Sequence, residues 1–174
     1  MAGISATWKS RVVTGVLLIL LGVWGGLVPF VGPYFHYAYT PDTAWHVTLA
    51  RLWLEILPAA AAVVGGALVL VSTGRLLAAL GAILAALAGG WFVAGMVVNA
   101  IWPHLGTPGV PAGTSAARRA LEELGLFTGV GVVIAFCAAL ALGRAFATAP
   151  RAGPDTEAGT EAETVADGVP AEEP

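Results

Sequence analysis

Four long apolar runs dominate the chain. They cover residues 12–31, 56–74, 76–102 and 124–143, and none of them contains Asp, Glu, Lys or Arg. About 20 apolar residues in a helix cross a hydrocarbon core about 30 Å thick. The runs therefore predict an all-α, polytopic membrane protein, a four-transmembrane-helix bundle with spans at about 12–31, 52–74, 76–102 and 121–146.

Local signals predict the start of the second helix and an irregularity within it. Thr40, Pro41 and Asp42 are typical of a helix N-terminus, so the helix should begin near Pro41, before its apolar part. Pro58 lies within the second span and should kink or loosen the helix, unless a neighbouring helix satisfies the carbonyl that it leaves free.

The fourth helix is also expected to begin outside the bilayer. Thr114 and Ser115 are typical N-cap residues. The next turns place two basic residues four positions before two acidic ones, the spacing that brings side chains together on a helix. These pairs are Arg118 with Glu122 and Arg119 with Glu123.

Small residues recur at every fourth position in all four runs, a pattern that lets helix backbones approach closely in lipid. The sets are Gly22 with Gly26, Ala62 with Gly66, Gly81 with Ala85 and Gly89, Gly125 with Gly129, and Gly131 with Ala135, Ala139 and Gly143. They predict a compact bundle.

The composition agrees with a membrane protein and divides the chain in two. Hydrophobic residues make up 57% of the 174 residues and charged residues only 11%, against about 25% in soluble domains. Seven of the eleven acids lie between Asp155 and Glu173, in a segment rich in Ala, Gly, Pro and Thr. We predict a transmembrane domain over 1–147 and a disordered cytoplasmic tail over 148–174. The body has no nucleic-acid patch, so no nucleic acid is expected among the partners.

The distribution of Lys and Arg predicts the orientation. With both termini in the cytoplasm, five basic residues lie inside and three outside. The inner ones are Lys9, Arg11, Arg75, Arg144 and Arg151, and the outer ones are Arg51, Arg118 and Arg119. The first run is longer than the roughly 7–15 residues of a signal-peptide core, so we expect it to remain as an uncleaved anchor. The predicted location is the plasma membrane, multi-pass, with both termini cytoplasmic.

Aromatic and histidine side chains concentrate near the predicted outer face. They include Tyr34, His36, Tyr37, Tyr39, Trp45, His46, Trp53, Trp102 and His104. An interfacial aromatic belt explains most of the Tyr and Trp, but not the histidines. The weak candidates for a metal site are His36, His46 and His104, with Asp42, Glu122 and Glu123 as possible oxygen ligands. No local spacing preassembles such a site, and no cofactor is predicted.

Arg51 and Glu55 form the sharpest polar constellation. They stand four residues apart on a helix that enters the membrane, with Trp53 between them. A lone carboxylate is costly at that depth, so one interpretation is a structural ion pair that neutralises both charges. The alternative is a carboxylate that handles a proton or a substrate in an outward-facing pocket. Asn99 is expected to make a hydrogen bond between helices.

The segment from Pro29 to His46, followed by Arg51 to Glu55, resembles uncharacterised small four-span membrane proteins of actinobacteria. The resemblance covers most of the first two helices and, more loosely, residues 106–108 and the fourth helix. It implies an integral, plasma-membrane protein and brings no activity with it.

Two functions remain open from the sequence. The first, which the absence of an assembled catalytic motif favours, is a non-enzymatic accessory or scaffold protein whose outer aromatic and histidine cap contacts the bilayer, a membrane protein partner or a second copy. The second is a small transporter or an extracytoplasmic ligand-binding protein. Its candidate residues are Arg51, Glu55, His36, His46, Asp42, Trp45, Tyr37, His104 and Glu122.

Overall fold

A computed structural model describes residues 2–40, 43–102, 106 and 109–147, with side chains from Lys9 onward. Helix α1 covers Ala2–Val31 and continues as a 3-10 turn over Gly32–Phe35. The other helices are α2 (Leu49–Val71), α3 (Arg75–Ile101), α4 (Ala116–Leu126) and α5 (Thr128–Ala147). The predicted tail, Asp42 and His104 lie outside the described residues.

Four helical segments are long and apolar enough to cross a membrane. They are Lys9–Phe35, Leu49–Val71, Arg75–Ile101 and Ala116–Ala147. In the described ranges the regular structure is otherwise limited to one bridge between Tyr39 and Pro111. The predictions of an all-α fold and of four long apolar helices are therefore confirmed.

The helices pack as a closed ring. Helix α1 packs against α2, α2 against α3, and α3 against α5, which returns to α1. A turn over residues 72–74 joins α2 to α3, and short connections of this kind make sequential helices neighbours. We call this end of the bundle the turn end. The opposite end carries the loops 32–48 and 102–115, and we call their described residues, together with α4, the cap.

Glycines let the helix backbones touch where they cross. A Cβ added at Gly89 would lie 2.7 Å from the Gly131 carbonyl oxygen, and one added at Gly131 would lie 2.7 Å from that of Gly89. Gly65 and Gly81 are related in the same way between α2 and α3. These contacts confirm the predicted small-residue packing. The exceptions are Gly125, Gly129 and Gly143. An added Cβ would meet the Tyr37 side chain at Gly125, the Leu124 carbonyl of the preceding helix at Gly129, and nothing within 4 Å at Gly143.

Helix α2 begins later than predicted. The Thr48 Oγ1 atom accepts a hydrogen bond from the Arg51 backbone N–H at 3.1 Å, which makes Thr48 the N-cap of a helix that starts at Leu49. The start predicted near Pro41 is wrong, because Trp45 has a φ of 57° and no α-helix passes through that left-handed conformation.

The first part of α2 contains a π-helical segment, Leu52–Ile56. The Leu57 N–H donates to the Leu52 carbonyl, five residues back. With the same spacing of five residues, the Trp53 carbonyl would accept a hydrogen bond from the backbone N–H of residue 58. That residue is Pro58, which has no N–H. Instead the indole Nε1 of Trp91 in α3 donates to the Trp53 carbonyl at 2.9 Å. The neighbouring helix thus supplies the hydrogen bond that the proline leaves unmade.

The fourth predicted helix is divided into α4 and α5. Its predicted cap is confirmed, since Ser115 Oγ accepts from the Arg118 backbone N–H at 3.3 Å. The division falls at Phe127, whose φ and ψ of −128° and −82° are not helical. Two side chains, one from α1 and one from loop 32–48, donate hydrogen bonds to backbone carbonyls of α4 close to this break. Trp24 Nε1 donates to the Gly125 carbonyl at 3.0 Å, and the Tyr37 hydroxyl donates to the Leu121 carbonyl at 2.7 Å.

Candidate functional site

The two loops of the cap pair with each other along a short stretch. The Thr40 N–H donates to the Val110 carbonyl at 2.9 Å, and the Ala112 N–H donates to the Ala38 carbonyl at 3.0 Å. Thr40 Oγ1 also accepts from the Val110 N–H at 3.1 Å. Loops that are far apart in the sequence thereby become one layer over the end of the bundle.

Arg118 ties this layer to α4. Its Nη2 donates to the His36 carbonyl at 2.8 Å, and its Nε lies 3.5 Å from Glu122 Oε1. The predicted pairing of Arg118 with Glu122 is therefore confirmed as an ion pair, although the geometry is too long for a good hydrogen bond. His36 contributes its backbone to this contact, in a left-handed conformation with φ of 54°.

Glu122 is the most deeply buried charged side chain in the described ranges, with none of its surface exposed. Its Oε2 accepts a hydrogen bond from the Gly113 N–H at 2.8 Å. The Nε of Arg119 donates to the Gly113 carbonyl, also at 2.8 Å. The expected pair of Arg119 with Glu123 is replaced by this contact, because the loop carbonyl lies within reach of the guanidinium. Glu122 and Arg119 together hold both sides of one loop residue.

The expected direct ion pair between Arg51 and Glu55 is not formed, since no contact of 4 Å or less joins the two described side chains. Arg51 Nη1 instead donates to the His46 carbonyl at 2.9 Å. Both side chains are nevertheless buried, with 5% and 3% of their surface exposed. The Arg51 guanidinium fixes the end of loop 32–48 that precedes α2, whereas Arg118 fixes the end that follows α1. Glu55 is left without a direct cationic partner.

Three buried side-chain oxygens at this end have no hydrogen-bond partner within the described chain: Glu55 Oε2, Asn99 Oδ1 and Glu122 Oε1. Asn99 makes one contact through its other atom, since Nδ2 donates to the Gly106 carbonyl at 3.0 Å. The predicted interhelical bond of Asn99 is thus replaced by a bond to the following loop. Buried acceptors without a donor are uncommon, and a proton, a water or a ligand would satisfy them.

Burial and the nearby carboxylates raise the pKa of two tyrosines. The pKa of Tyr37 is raised by burial and by the charge of Glu122. Burial raises the pKa of Tyr39 to about 12, with smaller contributions from the charges of Glu123, Glu122 and Glu55. The Tyr39 ring also packs edge-on against Phe127, with ring centroids 5.2 Å apart. The charges of acids from both α2 and α4 therefore act on the Tyr39 hydroxyl.

The other aromatic and histidine side chains of the cap are exposed. Tyr34, Phe35 and Trp45 keep 64%, 73% and 63% of their surface accessible. His36 and His46 are exposed as well, and their carbonyls, not their rings, make the contacts to the arginines. No group of three or more His, Cys, Asp and Glu side chains in the described part of the chain is arranged to hold a metal ion.

The structure thus divides the candidate residues into two sets. The side chains of Arg51 and Glu55 at the start of α2 and of Glu122 in α4 are buried, and that of Tyr37 is partly buried. His36, His46 and Trp45 are exposed on the surface of the cap. Sequence reasoning missed the role of Arg118 as a tie to the loop after α1. It named Tyr39 among the aromatic residues of the outer face, but not the burial that raises the pKa of its hydroxyl.

The comparisons with known proteins found no relative. The chain matches no protein-family model, no curated protein and no solved structure.

Proposed function

We propose that this chain is a non-enzymatic, multi-pass plasma-membrane protein that acts as an accessory or scaffold and binds a membrane partner through the exposed aromatic side chains of its cap. The observation that carries the proposal is the division within the cap. Arg51 and Arg118 donate to loop carbonyls and Glu122 accepts from a loop N–H, while the side chains of Phe35, Trp45 and Tyr34 are exposed on the surface.

A rigid layer of this kind is better suited to binding a partner than to catalysing a reaction. Binding groups are commonly placed on loops that a rigid scaffold positions, and exposed aromatic residues contribute large contact area at interfaces. Arginines fix the loops on both sides of the cap, so the exposed rings are presented without a large ordering cost on binding. A bilayer headgroup region is the competing occupant, because Tyr and Trp also settle there.

Co-purification and site-directed photocrosslinking test this proposal together. A photoreactive phenylalanine analogue is placed at Phe35, at Trp45 or, as a matched control at the turn end, at Phe146, which is 66% exposed. We expect one protein adduct from the two cap positions and none from Phe146. An adduct of twice the chain mass would identify a second copy as the partner.

The crosslinked partner should also co-purify in mild detergent. Phe35→Ser with Trp45→Ser should remove it, whereas Phe146→Ser should retain it. Lipid adducts alone at all three positions would contradict the proposal and leave the aromatic residues as an interfacial belt.

The proposed orientation places both termini in the cytoplasm and the cap outside. Cysteine accessibility tests it with Thr114→Cys in the cap and Gly74→Cys at the turn end, where an added side chain meets nothing within 4 Å. The native Cys137 is buried and gives little background. An impermeant reagent should label intact cells at position 114 only, and labelling at position 74 instead would reverse the orientation.

A second candidate function rests on the unpartnered buried oxygens of Glu55 and Asn99. A carboxylate near the membrane boundary without a direct counter-ion is suited to carry a proton or to bind a cationic group. Proton flux in reconstituted vesicles tests this alternative. Glu55→Gln should abolish a flux that the exposed Glu123→Gln preserves, and a wild-type chain without flux would eliminate proton transport.

A further inference from the structure

Three arginines from three helices line one cavity at the turn end. Arg11 of α1, Arg75 of α3 and Arg144 of α5 surround a space of about 360 Å³. This volume falls within the range of about 300–1,000 Å³ that is typical of small-ligand sites. The arginines lie far apart in the sequence, so only the closure of the helix ring brings them to one place.

The cavity has positive charge and no described negative charge. Its remaining lining in the described residues consists of Thr, Gly, Ala and Val, and the described acids Glu55, Glu122 and Glu123 all belong to the cap end. Like charges gathered at one place repel each other, and an anion bound among them relieves that repulsion. The ligand that fits is therefore anionic.

One of the arginines is held in place by its neighbours. Arg144 Nη1 donates to Thr14 Oγ1 at 3.0 Å, and the same hydroxyl donates to the Ser10 carbonyl at 2.9 Å. Thr14 also lines the cavity. The guanidinium is thus directed along α1, which reduces the ordering cost of binding.

The position of the cavity along the helices indicates that the anion belongs to a lipid headgroup. Arg11 lies close to the start of the segment Lys9–Phe35, Arg75 begins α3, and Arg144 lies in the last turn of α5. Helix ends of membrane spans lie at the depth of the lipid headgroups, where phosphates are abundant. Basic pockets between such helices bind anionic headgroups, and guanidinium groups match the phosphate oxygens.

We infer that this cavity binds the phosphoryl group of an anionic phospholipid, with Arg11, Arg75 and Arg144 as its ligands. The site is separate from the cap, and it stands whether or not the cap binds a partner. Residues 148–174 follow Ala147, which lines the cavity, so the seven acids of that segment are the competing source of negative charge.

Native mass spectrometry of the full chain in detergent tests the inference. The probes are phosphatidylglycerol and phosphatidylcholine, offered as an equal mixture. Wild type should retain phosphatidylglycerol preferentially. Each arginine replaced by glutamine should weaken its binding about fivefold, which corresponds to about 1 kcal/mol, so Arg11→Gln with Arg75→Gln should weaken it about 25-fold.

Lys9→Gln is the matched control, because Lys9 lies at the same helix end and carries the same charge but is absent from the cavity lining. It should leave binding within about twofold of wild type, as expected for a general surface charge near the membrane. An equal loss in Lys9→Gln and in the double variant would reduce the effect to net charge and overturn the site. No preference of wild type for phosphatidylglycerol would overturn it as well.

Two further arms separate the possible sources of the anion. Inorganic phosphate added at constant ionic strength should compete poorly with the lipid, since it lacks the acyl chains, and full competition would assign the site to a soluble phosphate. A full-length variant with the seven tail acids changed to Asn and Gln should bind phosphatidylglycerol as wild type does. If phosphatidylglycerol binds only to that variant, the acids of the tail occupy the cavity in the wild-type chain, and the proposed lipid site is wrong.

Discussion

The two ends of this bundle use charge in different ways. At the cap, Arg51, Arg118 and Arg119 donate to loop carbonyls, and Glu122 accepts from a loop N–H. At the turn end, arginines face a cavity instead of a loop. The difference follows from the connections, because the long loops of the cap need many polar ties, whereas the short turn at 72–74 is closed by Ser72 Oγ donating to the Val69 carbonyl at 2.8 Å.

Charged residues thus have different roles at the two ends of the bundle. In the cap, a charge stabilises the backbone that surrounds it, and removing it should cost folding stability. At the turn end, Arg11, Arg75 and Arg144 line a cavity, and removing one of them should cost binding with little loss of stability.

Glu122→Ala tests whether charged side chains stabilise the cap. The variant leaves the buried N–H of Gly113 without an acceptor, and the ion pair with Arg118 is lost. We expect the free energy of unfolding to fall by about 2–3 kcal/mol. Chemical denaturation in detergent measures it. The neighbouring Glu123→Ala is exposed and should stay within about 0.5 kcal/mol of wild type, and similar losses in the two variants would contradict the assignment.

Tyr37→Phe should have a smaller effect at the same end. It removes the hydroxyl that donates to the Leu121 carbonyl at 2.7 Å, while the ring remains. We expect a loss of about 1 kcal/mol in unfolding free energy. Tyr34→Phe provides the control, since Tyr34 is 64% exposed and should change little. If Tyr37→Phe is as stable as Tyr34→Phe, the hydrogen bond from the Tyr37 hydroxyl to the Leu121 carbonyl contributes nothing to the unfolding free energy.

Thr14→Val examines the turn end with a nearly isosteric change. The variant removes the oxygen that accepts from Arg144 Nη1. Arg144 is exposed, so water replaces the lost contact and the unfolding free energy should change by less than about 0.5 kcal/mol. Phosphatidylglycerol binding should weaken in the same variant, because the guanidinium is no longer held. A stability loss as large as that of Glu122→Ala would erase the difference between the two ends.

Alkaline pH adds a destabilisation that is absent at neutral pH. The pKa of Tyr39 is raised to about 12 in the folded chain by burial first and then by the nearby acids. Below the ordinary tyrosine pKa of about 10, both folded and unfolded states keep the proton. As pH rises from about 10 to about 12, the unfolded state loses it first, so stability falls through that window.

Tyrosinate absorbance measured against pH tests this prediction. Tyr39→Phe should remove the component that titrates last and should flatten the loss of stability above pH 10. A last component that persists in Tyr39→Phe would assign the raised pKa to another tyrosine.

The features that could be predicted depend on residues that lie close together in the sequence. The cap at Ser115 and the pairing of Arg118 with Glu122 depend on residues three or four positions apart. The need for a donor beside Pro58 was also visible, because a proline always lacks its N–H. The identity of that donor, Trp91 on another helix, was not visible, and neither was the start of α2 at Leu49.

The sequence by itself determined the number, order and approximate limits of the four apolar helices, because the length and polarity of each run decide whether it spans a bilayer. Only the tertiary structure decided which polar groups meet. Trp24 reaches the Gly125 carbonyl and Tyr37 reaches that of Leu121 across separations of 101 and 84 residues, and the arginines at the turn end come together only when α5 closes against α1. These contacts between helices depend on where small residues let the helices cross closely. A local sequence pattern does not specify the distance between two helices, so it cannot predict such contacts.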